Sequence, residues 1–202
     1  MIEVIIFDWQ KNESGLLPVI IQDARTERVL MLGYMIREAL QTTITTGFVT
    51  FYSRSKKRLW KKGETSGNVL KFISASADCD NDAILIRAVP SGPTCHTGAT
   101  SCFESAESPL ETLGLLIETI RERSMSHSST SYTKQLLEGG IEAYGAKVIE
   151  EAEEVVRAAG SEGKQRTIEE AADVLYHLFV LLRGEGIEIN DVTDALRRRR
   201  KE

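Results

Sequence analysis

Apolar positions in the first half of the chain fall in short runs of strand length, whereas in the second half they recur at helical spacing. Leu17–Gln22, Val29–Tyr34, Phe48–Ser53, Val69–Ala75 and Ala83–Val89 are apolar or β-branched runs that predict strands. One helix is expected over Arg37–Thr46, stopped by Gly47. Further on, Ser108-Pro109-Leu110-Glu111 combines a capping serine, a first-turn proline and a glutamate three residues after the cap, the signature of a capping box. Leu110, Leu113, Ile117 and Ile120 then follow on one helical face. Helices are also predicted at Tyr132–Leu137, Ile141–Ala159 (ended by Gly160), Thr167–Arg183 and Asp191–Arg200, with Thr167 and Asn190 as N-caps. The pattern predicts two domains. Residues 1–103 form a β-rich α+β domain, 104–108 a small polar linker, and 109–202 an all-α bundle of four or five helices.

Charge follows the same division. Residues 1–103 hold 12 basic and 10 acidic side chains, and residues 104–202 hold 13 and 20. No apolar run approaches the roughly 18 residues that span a bilayer. The opening MIEVIIFDW lacks the basic start and small-residue cleavage site of a signal peptide. Three cysteines, an odd number with no sign of secretion, suit a reducing cytoplasm with thiols free or on a metal.

Candidate chemistry sharpens the picture. In an extended Asp78-Cys79-Asp80-Asn81-Asp82 segment, Asp78, Asp80 and Asp82 would share one face and converge on a hard divalent cation, with Cys79 opposite. It is not an EF-hand loop, because Ala83 and Val89 stand where glycine and glutamate are required, and a polar turn is the plainer alternative. Cys95 and Cys102 lie beyond the next strand. Three thiolates with one open position would make a catalytic zinc, and adding His96 would close the site as Cys₃His. Adjacent residues seldom both reach one metal, so the open site is expected; three buried free cysteines are the alternative. Six of nine residues in Arg54–Lys62 are basic, and Gly63-Glu64-Thr65-Ser66-Gly67-Asn68 follows, a loop able to offer N–H, hydroxyl and ammonium groups to a phosphate. The spacing is not that of a Walker loop. A net charge of only +2 in this half speaks against nucleic-acid binding.

Met31–Met35, Phe51–Ser55, Leu59–Asn68, Asp78–Asp82 and Gly92–Phe103 together resemble phosphoribosyl-AMP cyclohydrolase, in order, across nearly all of residues 15–103. The resemblance implies zinc held by Cys79 of one subunit with Cys95 and Cys102 of the other, magnesium at Asp78, Asp80 and Asp82, and an obligate homodimer. Arg54, Trp60, Lys62, Thr65, Ser66 and Asn68 are the expected substrate contacts. Zinc lowers the pKa of bound water toward about 7, and nucleobase deaminases direct such a hydroxide at a ring carbon. In phosphoribosyl-AMP, attack at C6 would break the N1–C6 bond. His96 is the expected proton-transfer group, with Glu64 second. The chain departs from the family pattern at Ile36, where asparagine is expected; if that amide contacts substrate or caps the following helix, the cyclohydrolase step is weakened.

In the second half, Glu150, Glu151 and Glu154 share a helical face, and Glu170 and Asp173 share another on the next long helix. Like charges at these spacings oppose helix formation, so a positive partner is required. Both clusters sit among apolar residues, and packing the helices antiparallel would gather the carboxylates into a magnesium site. A solvated acidic face is the alternative. The spacing, E-E-x-x-E and then E-x-x-D after 15 residues, resembles the all-α nucleotide pyrophosphohydrolase type. With Ser131-Tyr132-Thr133 and Glu170–His177 the resemblance narrows to phosphoribosyl-ATP pyrophosphatase. It implies magnesium-assisted attack of water on the α-phosphoryl group, with Tyr132, Lys134 and Lys147 near phosphate oxygens. His177 reads equally as a core histidine or a functional one. Arg197–Lys201 closes a helix, where positive charge suits the macrodipole.

The two resemblances reinforce each other, since phosphoribosyl-AMP, the product of the helical domain acting on phosphoribosyl-ATP, is the substrate of the other. A cytoplasmic bifunctional enzyme of histidine biosynthesis is expected, without nucleic-acid or membrane partners. The alternatives are a nucleotide pyrophosphohydrolase whose N-terminal domain only binds nucleotide, and a zinc-stabilised RNA-binding module.

Overall fold

The computed structural model describes residues 7–11, 13–103, 107–126 and 131–200. Its elements in chain order are β1 (Leu17–Asp23), β2 (Val29–Met35), α1 (Arg37–Thr46), β3 (Thr50–Ser53), β4 (Arg58–Lys61), β5 (Leu70–Ala77) and β6 (Ile84–Pro90), then α2 (Pro109–Met125), α3 (Tyr132–Glu138), α4 (Gly140–Ser161), α5 (Lys164–Gly184) and α6 (Ile189–Arg199). A strand-bearing α+β region is thus followed by helices, as the hydrophobic pattern requires. The chain divides into two compact units after Gly114, within α2. Of the expected linker, residues 104–106 lie outside the described residues, as do residues 1–6 of the opening segment and Lys201 of the basic tail.

Alternation builds the first unit. Leu17, Val19 and Ile21 of β1 and Ile84, Ile86 and Ala88 of β6 are buried on one face. The sheet order is β2-β1-β6-β5, with β1 and β6 parallel and the other pairs antiparallel. A second, two-stranded sheet pairs β3 with β4, so that Phe51 stands opposite Trp60 and their rings stack at 5.7 Å. β4 was not among the expected strands, because Leu59 and Trp60 are enclosed by lysines and arginines and the apolar run is too short to read as a strand. α1 turns Ala39, Leu40 and Thr43 into the core. Gly47 ends it in the left-handed region at φ 74°, its N–H donating to the Thr43 carbonyl.

In the second unit α4 and α5 are the long helices, and Ile120, Leu136, Tyr144 and Val180 form the core. Ser108 caps α2, its Oγ accepting from Glu111 N–H at 3.1 Å. The Glu111 carboxylate pairs with Arg28 at 2.5 Å, both residues lying in the first unit. Several helix boundaries differ from expectation by one to three residues. α4 runs through Gly160 to Ser161, since a single helical glycine costs only about 1 kcal/mol. α5 starts three residues before Thr167, after Gly163 at φ 92°, and the Thr167 hydroxyl donates back to the Gly163 carbonyl. α6 is capped by Glu188, which shares a reciprocal capping box with Asp191, so Asn190 lies inside the helix. Among the described residues no helix is long and apolar enough to cross a membrane.

Candidate active sites

Residues 78–83 join β5 to β6 as a tight turn, not the extended segment expected. Asp78 Oδ1 accepts the N–H groups of Asp82 and Ala83, both at 3.0 Å, and Asn81 adopts φ 63°. Folding the segment back removes the two-faced alternation. Donor atoms of Asp78, Cys79 and Asp80 therefore lie within 4.8 Å of one another, all exposed. Asp82 stands beside this group and is joined to it by Lys11, whose ammonium pairs with Asp80 and, at 2.9 Å, with Asp82. These two carboxylates hold the Lys11 amine well above its ordinary pKa.

The loop after β6 carries the other thiols. Cys95 N–H donates to Ala99 O within the loop, and Cys102 N–H donates to Leu30 O, which ties the far end of the loop to β2. The Thr97 hydroxyl donates to Cys95 Sγ at 3.2 Å, which lowers the Cys95 pKa; burial raises that of Cys102. The two thiols interact with each other. Cys79 belongs with the aspartates, and among the described residues no group of three close donors contains all three cysteines. None of the three is buried, which removes the reading of them as small core residues. His96 is exposed, its Nδ1 3.7 Å from Cys95 Sγ.

The glycine-rich loop meets the thiol loop at one point. A Cβ on Gly92 would stand 2.6 Å from Asn68 Oδ1, so glycine there lets the amide seat against the thiol-bearing segment. Gly63 takes φ 82°, and a Cβ would meet Asn68 backbone at 2.5 Å. Lys62 is buried, its charge close enough to Cys102 to favour the thiolate. Thr65 and Ser66 are exposed. Arg54 lies over the Tyr34 ring, 3.9 Å from its centre. Trp60 is packed on Phe51 rather than presented as an open face. Glu64 is held by Arg58 at 2.5 and 3.2 Å, which keeps its carboxyl below the usual range and makes it a poor proton donor at neutral pH.

In the helical unit, α4 and α5 bring Glu151, Glu154 and Glu170 together with one oxygen of each within 4.8 Å. Glu151 and Glu170 are buried, and a set of buried carboxylates needs cations beside it. Three are provided by the protein, one of them Arg157, which meets Glu154 at 3.1 Å. Lys147 Nζ lies 2.8 Å from both Glu150 Oε2 and Glu151 Oε1, so Glu150 is held at the rim. Arg166 pairs with Glu170 and reaches Glu154 at 3.6 Å. Even so, burial raises the Glu170 carboxyl above its ordinary value. Asp173 is exposed and outside the group, and Lys134 pairs with Glu138 at 3.8 Å. Tyr132 stacks on Tyr176, its ring edge-on to His177. Neither Lys11 nor Arg166 belongs to a motif in the sequence, although Arg166 carries a usable signal, four residues before Glu170 on one helix.

Oxygen-rich clusters suit magnesium, and a thiolate pair suits zinc, so the donors fit the two metals that the resemblance implies. Fold and donor sets together describe two units, each carrying a cluster of side chains of metal-ligating type. Residues 31–104 match the family Phosphoribosyl-AMP cyclohydrolase, and residues 113–200 match Phosphoribosyl-ATP pyrophosphohydrolase. The chain is 50% identical over 194 residues to the histidine biosynthesis bifunctional protein HisIE of Xanthomonas campestris pv. campestris, covering 96% of this chain and 93% of that protein. It is 46% identical over 197 residues to HisIE of Vibrio parahaemolyticus, again covering 96% and 93%. The chain belongs to this family of bifunctional histidine-biosynthesis enzymes, with a cyclohydrolase domain followed by a pyrophosphohydrolase domain.

Proposed function

We propose that the helical unit hydrolyses phosphoribosyl-ATP between its α- and β-phosphates, and that the strand-bearing unit opens the purine ring of the resulting phosphoribosyl-AMP. In the first step water adds to the α-phosphorus and pyrophosphate leaves. In the second, water adds at C6 and the N1–C6 bond breaks, with a proton passing to the departing nitrogen. The observation that carries this reading is the pair of donor clusters, one in each unit, lying inside the two matched family regions.

Glu151, Glu154 and Glu170 would hold magnesium in the helical unit, with Glu150 and Asp173 at its edge. Asp78, Asp80 and Asp82 would hold magnesium in the other. Cys95 and Cys102 would hold zinc together with Cys79 of the partner subunit. When bound, zinc supplies hydroxide at neutral pH and magnesium polarises phosphoryl oxygens. The chain's own residues do the rest. Lys147 neutralises Glu150 and Glu151 before loading and is placed to meet a phosphate afterwards. Lys62 sets a positive charge beside Cys102, and the Gly63–Asn68 loop presents N–H and hydroxyl groups to the substrate phosphate. His96, beside Cys95, is the proton-transfer group; Glu64 orients Arg58.

A homodimer is supported by the thiols, since Cys79 stands with the aspartates and apart from the Cys95–Cys102 pair. It is supported also by apolar side chains left in solvent: Ile20 and its cross-strand neighbour Leu32 in the sheet, and Ile149, Val156 and Ile168 on α4 and α5. Free thiols suit the cytoplasm as the compartment.

The test is to incubate the protein with phosphoribosyl-ATP, magnesium and trace zinc and to separate the products by chromatography. Pyrophosphate and the ring-opened nucleotide are expected. Accumulation of phosphoribosyl-AMP would remove the cyclohydrolase half of the reading. In the same assay, near-normal ring opening by His96→Ala with zinc retained would remove the role given to His96.

A further inference from the structure

His177 occupies a core position of α5, beside Phe179 and Val180, yet it fits that position badly as a packing residue. It is 4% exposed, and among the described residues its Nδ1 is buried with no hydrogen-bond partner. Leaving a buried polar atom unpaired is destabilising, so an aliphatic side chain would serve the core better. The compensation lies at the other ring nitrogen. His177 Nε2 is 3.7 Å from Glu151 Oε1, the same oxygen that Lys147 approaches at 2.8 Å. A carboxylate facing Nε2 requires that this nitrogen carry the proton, so the contact is N–H toward oxygen. The ring cannot readily turn away. Tyr176 meets it edge-on at 5.0 Å and Tyr132 at 6.0 Å, and the Tyr176 hydroxyl is itself fixed by Thr133 at 2.7 Å. At 3.7 Å the contact is longer than a hydrogen bond and is an electrostatic approach of N–H to carboxylate.

We propose that His177 is a positioning residue of the pyrophosphohydrolase: with Lys147 it clamps one oxygen of Glu151 and thereby leaves the other for the divalent cation. The inference rests on the reading of Glu151, Glu154 and Glu170 as the cation site. Fixing a metal-ligating carboxylate through its second oxygen is the work of an outer layer of hydrogen bonds, whose loss typically costs about 10- to 100-fold in metal affinity.

The test uses the full chain, stripped with EDTA, and reads Mn²⁺ binding by electron paramagnetic resonance. Glu170→Gln first defines the part of that binding which belongs to the helical unit. His177→Gln can place an amide N–H where Nε2 was; His177→Leu removes the donor, and His177→Asn places one only near Nδ1. The helical-unit affinity is expected to fall about tenfold or more in the Leu and Asn variants and to stay within about threefold of wild type in the Gln variant. Thermal unfolding of the metal-free proteins reports packing separately, and its ranking should not follow the affinities. Equal affinity in all three variants, or equal loss in all three, overturns the clamp while leaving the cation site standing. Wild-type binding indifferent to Glu170→Gln would overturn the cation reading itself and the clamp with it.

Discussion

Ile36 stands at the N-cap of α1 with extended backbone and no side-chain cap hydrogen bond. Asparagine there would satisfy a first-turn N–H, a gain of about 1 kcal/mol. Isoleucine instead packs, half-buried, against the core of the first unit. Half the burial of such a side chain contributes roughly 1 kcal/mol, so the two solutions nearly balance. Ile36→Asn should therefore move the urea midpoint by less than about 1 kcal/mol of stability, with ring opening unchanged. A rise in ring-opening rate of about tenfold would place the amide among the substrate contacts instead. The same balance explains what was legible at this scale. Cysteines and clustered carboxylates announce their chemistry by type, and Cys95, Cys102, Glu151, Glu154 and Glu170 are where that chemistry gathers. The partners that make the clusters tolerable are ordinary basic residues. Lys11 reaches Asp80 across 69 positions, and no local spacing could announce it.

At the scale of elements, period and caps carried the strands β1, β2, β5 and β6 and the existence of the helices, while ends and short pieces depended on tertiary contact. β4 is the clearest case. Arg58–Lys61 pairs with β3 because Leu59 and Trp60 have a core to face, not because the segment is apolar. The packing of this small sheet on β2 also explains Gly33. A Cβ there would meet the Phe51 ring at 2.4 Å, and that ring is buried and stacked on Trp60. Neither strand can yield without disturbing the other. Gly33→Ala should destabilise the first unit by about 3 kcal/mol, the upper end of overpacking costs. Urea unfolding followed by tryptophan fluorescence would register it, because both tryptophans, Trp9 and Trp60, pack against this core. An unchanged midpoint would mean that the β2–β3 contact is looser than described. The turn at 78–83 teaches the complementary lesson: alternating aspartates implied an extended strand, but Asp78 spends one oxygen on two backbone N–H groups and folds the segment instead.

For the whole molecule, the question is how three cysteines that do not meet within one chain could serve a single zinc. If the site is shared across a two-fold axis, each site takes Cys79 from one protomer and Cys95 with Cys102 from the other. Cys79→Ser and Cys95→Ser homodimers would then each lack one ligand in both sites. In a mixed dimer the two defects fall in the same site, and the second site is intact. Random reassortment makes half the dimers mixed, with one good site of two, so ring opening should return to about a quarter of the wild-type rate. A zinc bound within single chains allows no recovery, because every protomer carries a defect. The chain contains its own control for this experiment. Pyrophosphate release is proposed to occur at Glu151, Glu154 and Glu170, in the other unit, and should stay at the wild-type rate in each variant and in the mixture. Loss of ring opening with pyrophosphate release intact assigns the thiols to the first unit's chemistry. Recovery on mixing places the partner's thiol in the site, and its absence, with exchange of subunits shown by a tagged protomer, would return all three ligands to one chain and require the turn at 78–83 to open.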